Sequence, residues 1–162
     1  MNAPFSIVPL EVLSGLALIS DENANKAVYS AVKSHVRDSL LQSFQLTPPL
    51  LKAVSFLEEY FTASGWGKLS HVQIDETNHR AIMVVDENPV AISLQGKSAK
   101  PVDHVYRGVL AGMFSKLFGV DVDCVEHQCA CQGRKTCEFV IQPQAEFDFA
   151  KTEPREQLSL KD

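Results

Sequence analysis

The sequence predicts an α+β fold in which helices lie against one face of an antiparallel β-sheet. Three observations carry that prediction. Apolar residues recur at helical spacing in several segments, short apolar runs joined by turn residues occur in two pairs, and each pair follows a helical segment. A helix–strand–strand arrangement therefore repeats, without any repeat at the level of individual residues. Helices with one apolar stripe and strands with one apolar face bury them against each other, and short connections favour pairing of sequential strands. At 162 residues the chain is long enough for one domain with a sizeable core. The patterns assign residues 1–142 to that domain, N-terminal helices included, and 143–162 to a polar, acidic tail without periodicity.

Residues 1–20 combine Pro4, Pro9 and Gly15 with an apolar run and read as a loose arm leading into a short helix. In DENANKAVYSAVKSHVRDSLLQSF, Asp21 can cap a helix, and Ala24, Val28, Ala31 or Val32, His35 or Val36, and Leu40 form its stripe. Pro48 and Pro49 interrupt the chain and can start the helix LLKAVSFLEEYFTASG, whose Leu51, Val54, Leu57 and Phe61 face a core. Gly65 and Gly67 end it around Trp66. The runs LSHVQID and RAIMVVDE read as two strands joined by ETNH. After the short apolar segment PVAISL and the loop GKSAKP comes DHVYRGVLAGMFSKLFG, a helix of about four turns. Its core face carries Val105, Val109, Leu110, Met113 and Leu117, and Gly108 and Gly112 allow a close neighbour at some cost in helix propensity. VDVDCVEHQ and KTCEFVIQ form the final strand pair.

Composition narrows the functional classes. The 20 acidic and 15 basic residues leave a formal charge of −5, with no basic stripe, which argues against direct nucleic-acid binding. No run approaches the roughly 20 apolar residues of a transmembrane helix, and the N-terminus does not read as a signal peptide. A cytoplasmic location is expected. Clustered thiols in a reducing compartment point to metal or reactivity before disulfides.

All four cysteines lie within CVEHQCACQGRKTCEFVI, residues 124–141. Their spacing, Cys124-x4-Cys129-x-Cys131-x5-Cys137, lacks the paired CxxC knuckles of four-cysteine zinc sites and the spacer of a redox dithiol. Cys124 continues the alternation of Val120 and Val122 and reads as core. Glu126, Cys129 and Cys137 are a better set, because a carboxylate and two thiolates suit Zn²⁺ and a hairpin brings its two arms together. A structural zinc needs a fourth ligand, for which Asp103, His104, His127 and Cys131 are candidates.

The segment PVDHVYRGVLAGMFSKLFGVDVDCVEHQCACQGRKTCEFVI resembles the C-terminal half of the 4-vinyl reductase domain family. Glu126, Cys129, Gly133, Cys137 and Phe139 match the family's E-x2-C-x3-G-x3-C-x-F pattern in register, and GVLAGMFSKLFG matches its small-residue helix. FLEEYFTASGWGKL resembles the helix-into-strand segment upstream. The resemblance spans roughly residues 45–142 and, more loosely, the N-terminal helices. It implies helices on an antiparallel sheet, related in fold to Bet3-like vesicle-tethering proteins. It also implies a role like that of the sensor domains of aromatic-responsive bacterial activators, in which Cys, Glu, Cys and Cys hold a zinc near a closed apolar pocket. Carried over by position, the metal ligands are Glu126, Cys129 and Cys137, with Asp103 where the family has its first cysteine. Asp can serve as a zinc ligand. Two carboxylates and two thiolates around Zn²⁺ leave a net −2, which Arg107 offsets in part, although Asp103 and Arg107 are also spaced for an ordinary helix salt bridge.

Other residues read more plainly. Gly133 permits the tight turn between the arms, Phe139 is core, His35 is a hydrogen-bonded helix residue, and Trp66 closes one end of the core. Nothing resembles a phosphate loop or a nucleophile elbow. Three functions remain in view: a zinc-containing, ligand-binding sensor module acting through a partner protein; an enzyme or accessory factor in tetrapyrrole or aromatic metabolism; and a structural scaffold that dimerises. A small apolar ligand and a homodimer are the partners expected, and an enzyme is the less favoured reading.

Overall fold

The computed structural model describes residues 8–19, 21–40 and 50–159. Helix α1 spans Leu10–Ala17 and α2 spans Glu22–His35, which continues as a π-helical turn over Val36–Leu40. Asp21 caps α2 as its sequence position suggests, accepting the N–H groups of Asn23 and Ala24. Helix α3, Leu50–Ala63, leads into the hairpin of β1, Lys68–Asp75, and β2, Arg80–Asp86. A five-residue helix α4, Pro89–Ser93, occupies the PVAISL segment. The long helix α5, His104–Phe118, precedes β3, Asp123–Gln128, and β4, Cys137–Gln142, and a last helix α6 spans Thr152–Gln157. The expected side chains of the α3 stripe are buried at Leu57 and Phe61, whereas the Leu51 side chain and the prolines before the helix fall outside what is described.

The four strands form one antiparallel sheet in the order β1-β2-β4-β3, so the two hairpins meet through β2 and β4. Alternation places Ala81, Met83 and Val85 of β2 beside Ile141, Phe139 and Cys137 of β4, all on the buried face. Val122 and Cys124 extend that face, and Cys124 is fully buried as core. Glu126 is next in the alternation, opposite Phe139.

Helix α5 shows more than the single stripe expected of it. Every residue from Tyr106 to Ser115 is buried, because α2 covers the side that faces away from the sheet. The glycines explain how. A Cβ on Gly112 would lie 2.6 Å from the Lys33 carbonyl oxygen, and one on Gly108 would lie 2.8 Å from Val32 Cβ. The facing side of α2 is accordingly Tyr29, Val32, Lys33 and Val36, and His35 is exposed. Polar bonds add to this contact: Tyr29 Oη and Lys33 Nζ each donate to Asp123 Oδ1 at 2.7 Å, and Lys33 also pairs with Asp121 at 3.0 Å.

The segment after Pro143 reads as a featureless tail, yet through Ser159 it folds back on the sheet. Phe147, Pro154, Gln157 and Leu158 are buried. Its apolar contacts are too few and too irregularly spaced to leave a periodic signal.

Candidate metal centre

Four ligand atoms meet where the β3–β4 connection touches the start of α5. One atom each from Asp103, Glu126, Cys129 and Cys137 lies within 4.8 Å of every other, and all four residues are buried. Each is placed by a different local device. Asp103 precedes the first turn of α5. Glu126 is set by strand alternation, and an irregularity in register between Glu126 and Gln128 lets the chain turn towards Cys129. A short 3-10 turn over Ala130–Gln132 follows and ends at Gly133 in the left-handed region (φ 79°), which a side chain there would strain. Cys137 then opens β4 opposite Val85.

These residues fit a zinc ion. Ligands at zinc bonding distances stand about 3.4–3.8 Å apart in a tetrahedron, so shifts of up to about an ångström close the set. Moreover Asp103 Oδ1 and Glu126 Oε1 are buried with no hydrogen-bond partner. An orphaned carboxylate oxygen is costly inside a protein, and two facing one cluster of thiols suit a shared cation. The other carboxylate oxygens are occupied. Asp103 Oδ2 accepts from Asn88 Nδ2 at 2.7 Å, and Glu126 Oε2 accepts the Asp103 main-chain N–H at 3.1 Å.

Electrostatics agree. Without a cation, burial and the neighbouring Cys129 push the Asp103 carboxyl up to about 7. Burial and the Asp103 carboxylate push Glu126 far above the usual carboxylate range. The Cys129 sulfur, accepting from Cys131 and Cys137, is held below the ordinary thiol value. Four anions cannot share this volume unaided, so protons occupy it until a metal displaces them.

Of the alternative fourth ligands, His127 is exposed. His104 Nδ1 contacts Arg107 Nη1 at 3.4 Å, and Cys131 Sγ donates to the Lys100 carbonyl at 3.3 Å; neither belongs to the convergent set. The Asp103–Arg107 salt bridge that the spacing allows does not form. Arg107, fully buried, donates instead from Nε to Cys124 O at 3.0 Å and from Nη2 to Gln157 O at 2.6 Å, with its guanidinium over the Tyr29 ring. Turned into the core, it makes bonds to carbonyls that a surface side chain would leave to water.

Two supporting residues escaped the sequence reading. Asn88 caps α4 with its Oδ1 while its Nδ2 serves Asp103 and lies 3.6 Å from Cys137 Sγ. The Asn-Pro dipeptide signals the cap but not the second task. Gln157 holds the main chain of Glu126, and no sequence signal marks a side chain that bonds a distant backbone.

Beside the cluster, Trp66, Tyr106, Val90, Val102, Leu13 and Ala17 line an apolar cavity of about 20 Å³. Tyr106 donates to the Trp66 carbonyl at 2.6 Å and its ring lies 4.5 Å from the indole. The cavity can take one water but not an aromatic ring.

Residues 81–143 match the 4-vinyl reductase domain family, and the fold is of that type. Among solved structures, the chain is similar to the phenol-responsive sensory domain of the transcription activator PoxR with phenol. That match has 16% identity, a TM-score of 0.70, and covers 96% of this chain and 84% of that one. A vinyl-4-reductase family protein from Methanocaldococcus jannaschii matches at 16% identity and a TM-score of 0.54, over 85% of this chain and 83% of that one. A trafficking protein particle complex subunit 3 from Naegleria fowleri, covalently bound to palmitic acid, matches more weakly. Its TM-score is 0.48 at 15% identity, over 82% of this chain and 87% of that one. At such identities the similarity establishes the fold. No curated protein matches the sequence. Among the described residues, no helix is long and apolar enough to cross a membrane.

Proposed function

We propose that the chain is a zinc-containing sensor module that binds a small apolar molecule and acts through contact with a partner protein. The observation that carries this reading is the convergence of Asp103, Glu126, Cys129 and Cys137, with two orphaned carboxylate oxygens among them. A bound Zn²⁺ would neutralise these anions and tie the β3–β4 connection to the start of α5, elements brought together only by folding. Asp103, Glu126, Cys129 and Cys137 hold it, and Asn88 orients Asp103. Four protein ligands leave no open coordination position, which favours a staple over a catalytic metal and hence a sensor over an enzyme.

The apolar cavity beside Asp103 is the ligand site in this reading, supported by the fold shared with a phenol-responsive domain. Admitting a ring requires α1 to move outward with Leu13 and Leu16, which form one wall. No residue of α1 is fully buried, so the wall is weakly anchored. Its exposed Val12 and Leu16, with Ile92 of α4, offer an apolar surface to a second copy of the chain. A reducing, cytoplasmic setting would keep the thiols available as ligands.

Elemental analysis of protein purified without added metal is expected to find about one zinc per chain. Phenol titrated into that protein should change the emission of Trp66, the single tryptophan, and raise the melting temperature. Absence of zinc overturns the metal reading. Unchanged emission and melting with phenol, toluene and longer apolar compounds overturn the sensor reading.

A further inference from the structure

Glu126 is held from two directions. Its side chain enters the four-residue cluster, and its main chain is gripped by a side chain 31 residues further along. Strand β3 lies at the edge of the sheet, with β4 on one side only. Backbone groups on its other side need partners from elsewhere. Gln157 supplies both for Glu126: its Oε1 accepts the Glu126 N–H at 2.8 Å and its Nε2 donates to the Glu126 carbonyl at 2.8 Å. The Gln157 main-chain carbonyl in turn accepts from Arg107 at 2.6 Å, and Arg107 stands on the helix that Asp103 precedes. Asp103 closes the circuit through its N–H to Glu126 Oε2. Outside this ring, α6 is held by contacts at the surface, such as Lys100 with Glu156 at 3.2 Å and Lys26 with the Arg155 carbonyl at 3.4 Å. Its buried anchors are Pro154, Gln157 and the following Leu158.

We propose that Gln157 is a positioning residue for the metal ligand Glu126, and that docking of α6 on β3 is thereby coupled to metal occupancy. This rests on the metal reading above. The physical basis is that a carboxylate ligand binds best when its backbone is fixed before the ion arrives, and removing such outer partners typically weakens metal affinity about 10–100-fold. Coupling between two equilibria is reciprocal, so the factor by which docking tightens metal binding is the factor by which metal tightens docking. Residues 152–158 thus form an element whose attachment reports the state of the site, and a partner could sense it there.

The test uses the full chain. Gln157→Met keeps length and apolar bulk but removes both bonds to Glu126. It is expected to lower zinc affinity about 10-fold or more in competition with a chelator, and to shift the thiolate–cobalt absorption bands of the Co²⁺-loaded protein. In the wild-type chain, stripping the metal should speed hydrogen exchange across residues 152–158 by a comparable factor. A merely structural glutamine would lower the melting temperature of loaded and stripped protein alike and leave affinity and bands unmoved. If Gln157→Met does not fold, the wild-type exchange comparison decides alone. Metal uptake with unaltered affinity in the variant, or exchange at 152–158 indifferent to metal, overturns the coupling only. A wild-type chain that takes up neither zinc nor cobalt overturns the metal reading and the coupling together.

Discussion

The β1–β2 turn closes on itself: Asp75 accepts the Asn78 N–H at 3.1 Å and its side-chain amide at 2.7 Å, all within four exposed or half-buried residues. The β3–β4 connection does the opposite. Its hydrogen bonds and candidate ligands draw on Asn88, Asp103 and the loop at Ala99–Lys100, none of them in the hairpin. Both hairpins follow a helix, and both use antiparallel pairing, yet one is finished by local chemistry and the other by residues from three further segments. The difference shows how a repeated architectural unit acquires a site. The second copy buries its turn, and burial turns the same polar residue types from solvent-facing caps into groups that need a shared partner.

Substitutions in each region test that contrast, the most damaging first. Cys129→Ser should remove the zinc and lower the melting temperature by more than about 10 °C, since metal binding energy here is folding energy. Cys124→Ser, in the same strand pair, should leave zinc stoichiometry unchanged. Elemental analysis and calorimetry of both variants distinguish a site at Cys129 from a general need for buried thiols, and full zinc retention in Cys129→Ser would contradict the whole assignment. Gly112→Val comes next. The added side chain would meet the Lys33 carbonyl and Val36 across α2, costing about 2–4 kcal/mol by denaturant titration, without changing zinc stoichiometry. Asp75→Ala should cost least, about 0.5–1 kcal/mol, with no effect on metal. A metal loss in Asp75→Ala would mean that the two hairpins are not independent after all.

Sequence reasoning reached the helices, both hairpins and the Glu126, Cys129, Cys137 register because each rests on short-range pattern. Strand alternation makes Met83, Cys124 and Phe139 legible as core, and a glycine three residues from the start of a loop announces the turn at Gly133. Asp103 came from resemblance in register, since an acidic residue before a helix is ordinarily a cap. What stayed hidden has a common cause. Lys33 is buried because Asp121 and Asp123 reach it from beyond α5. Arg107 turns inward to carbonyls of β3 and α6, and Gln157 pairs with backbone that any residue would present. Such long-range polar bonds leave no periodicity. The same holds for the all-round burial of α5, which depends on what α2 covers and not on the helix's own stripe.

The sheet order β1-β2-β4-β3 also sets a timetable. Each hairpin closes over a short stretch of chain, but β2 and β4 must meet across more than fifty intervening residues, a search that is slow relative to hairpin closure. During synthesis the first hairpin can form while α5 and the cysteines are still unmade, leaving the apolar edge of β2 exposed until β4 arrives. Stopped-flow refolding should therefore show hairpin-like structure before the protection of Met83 and Phe139, with the central strand pair as the step that commits the chain.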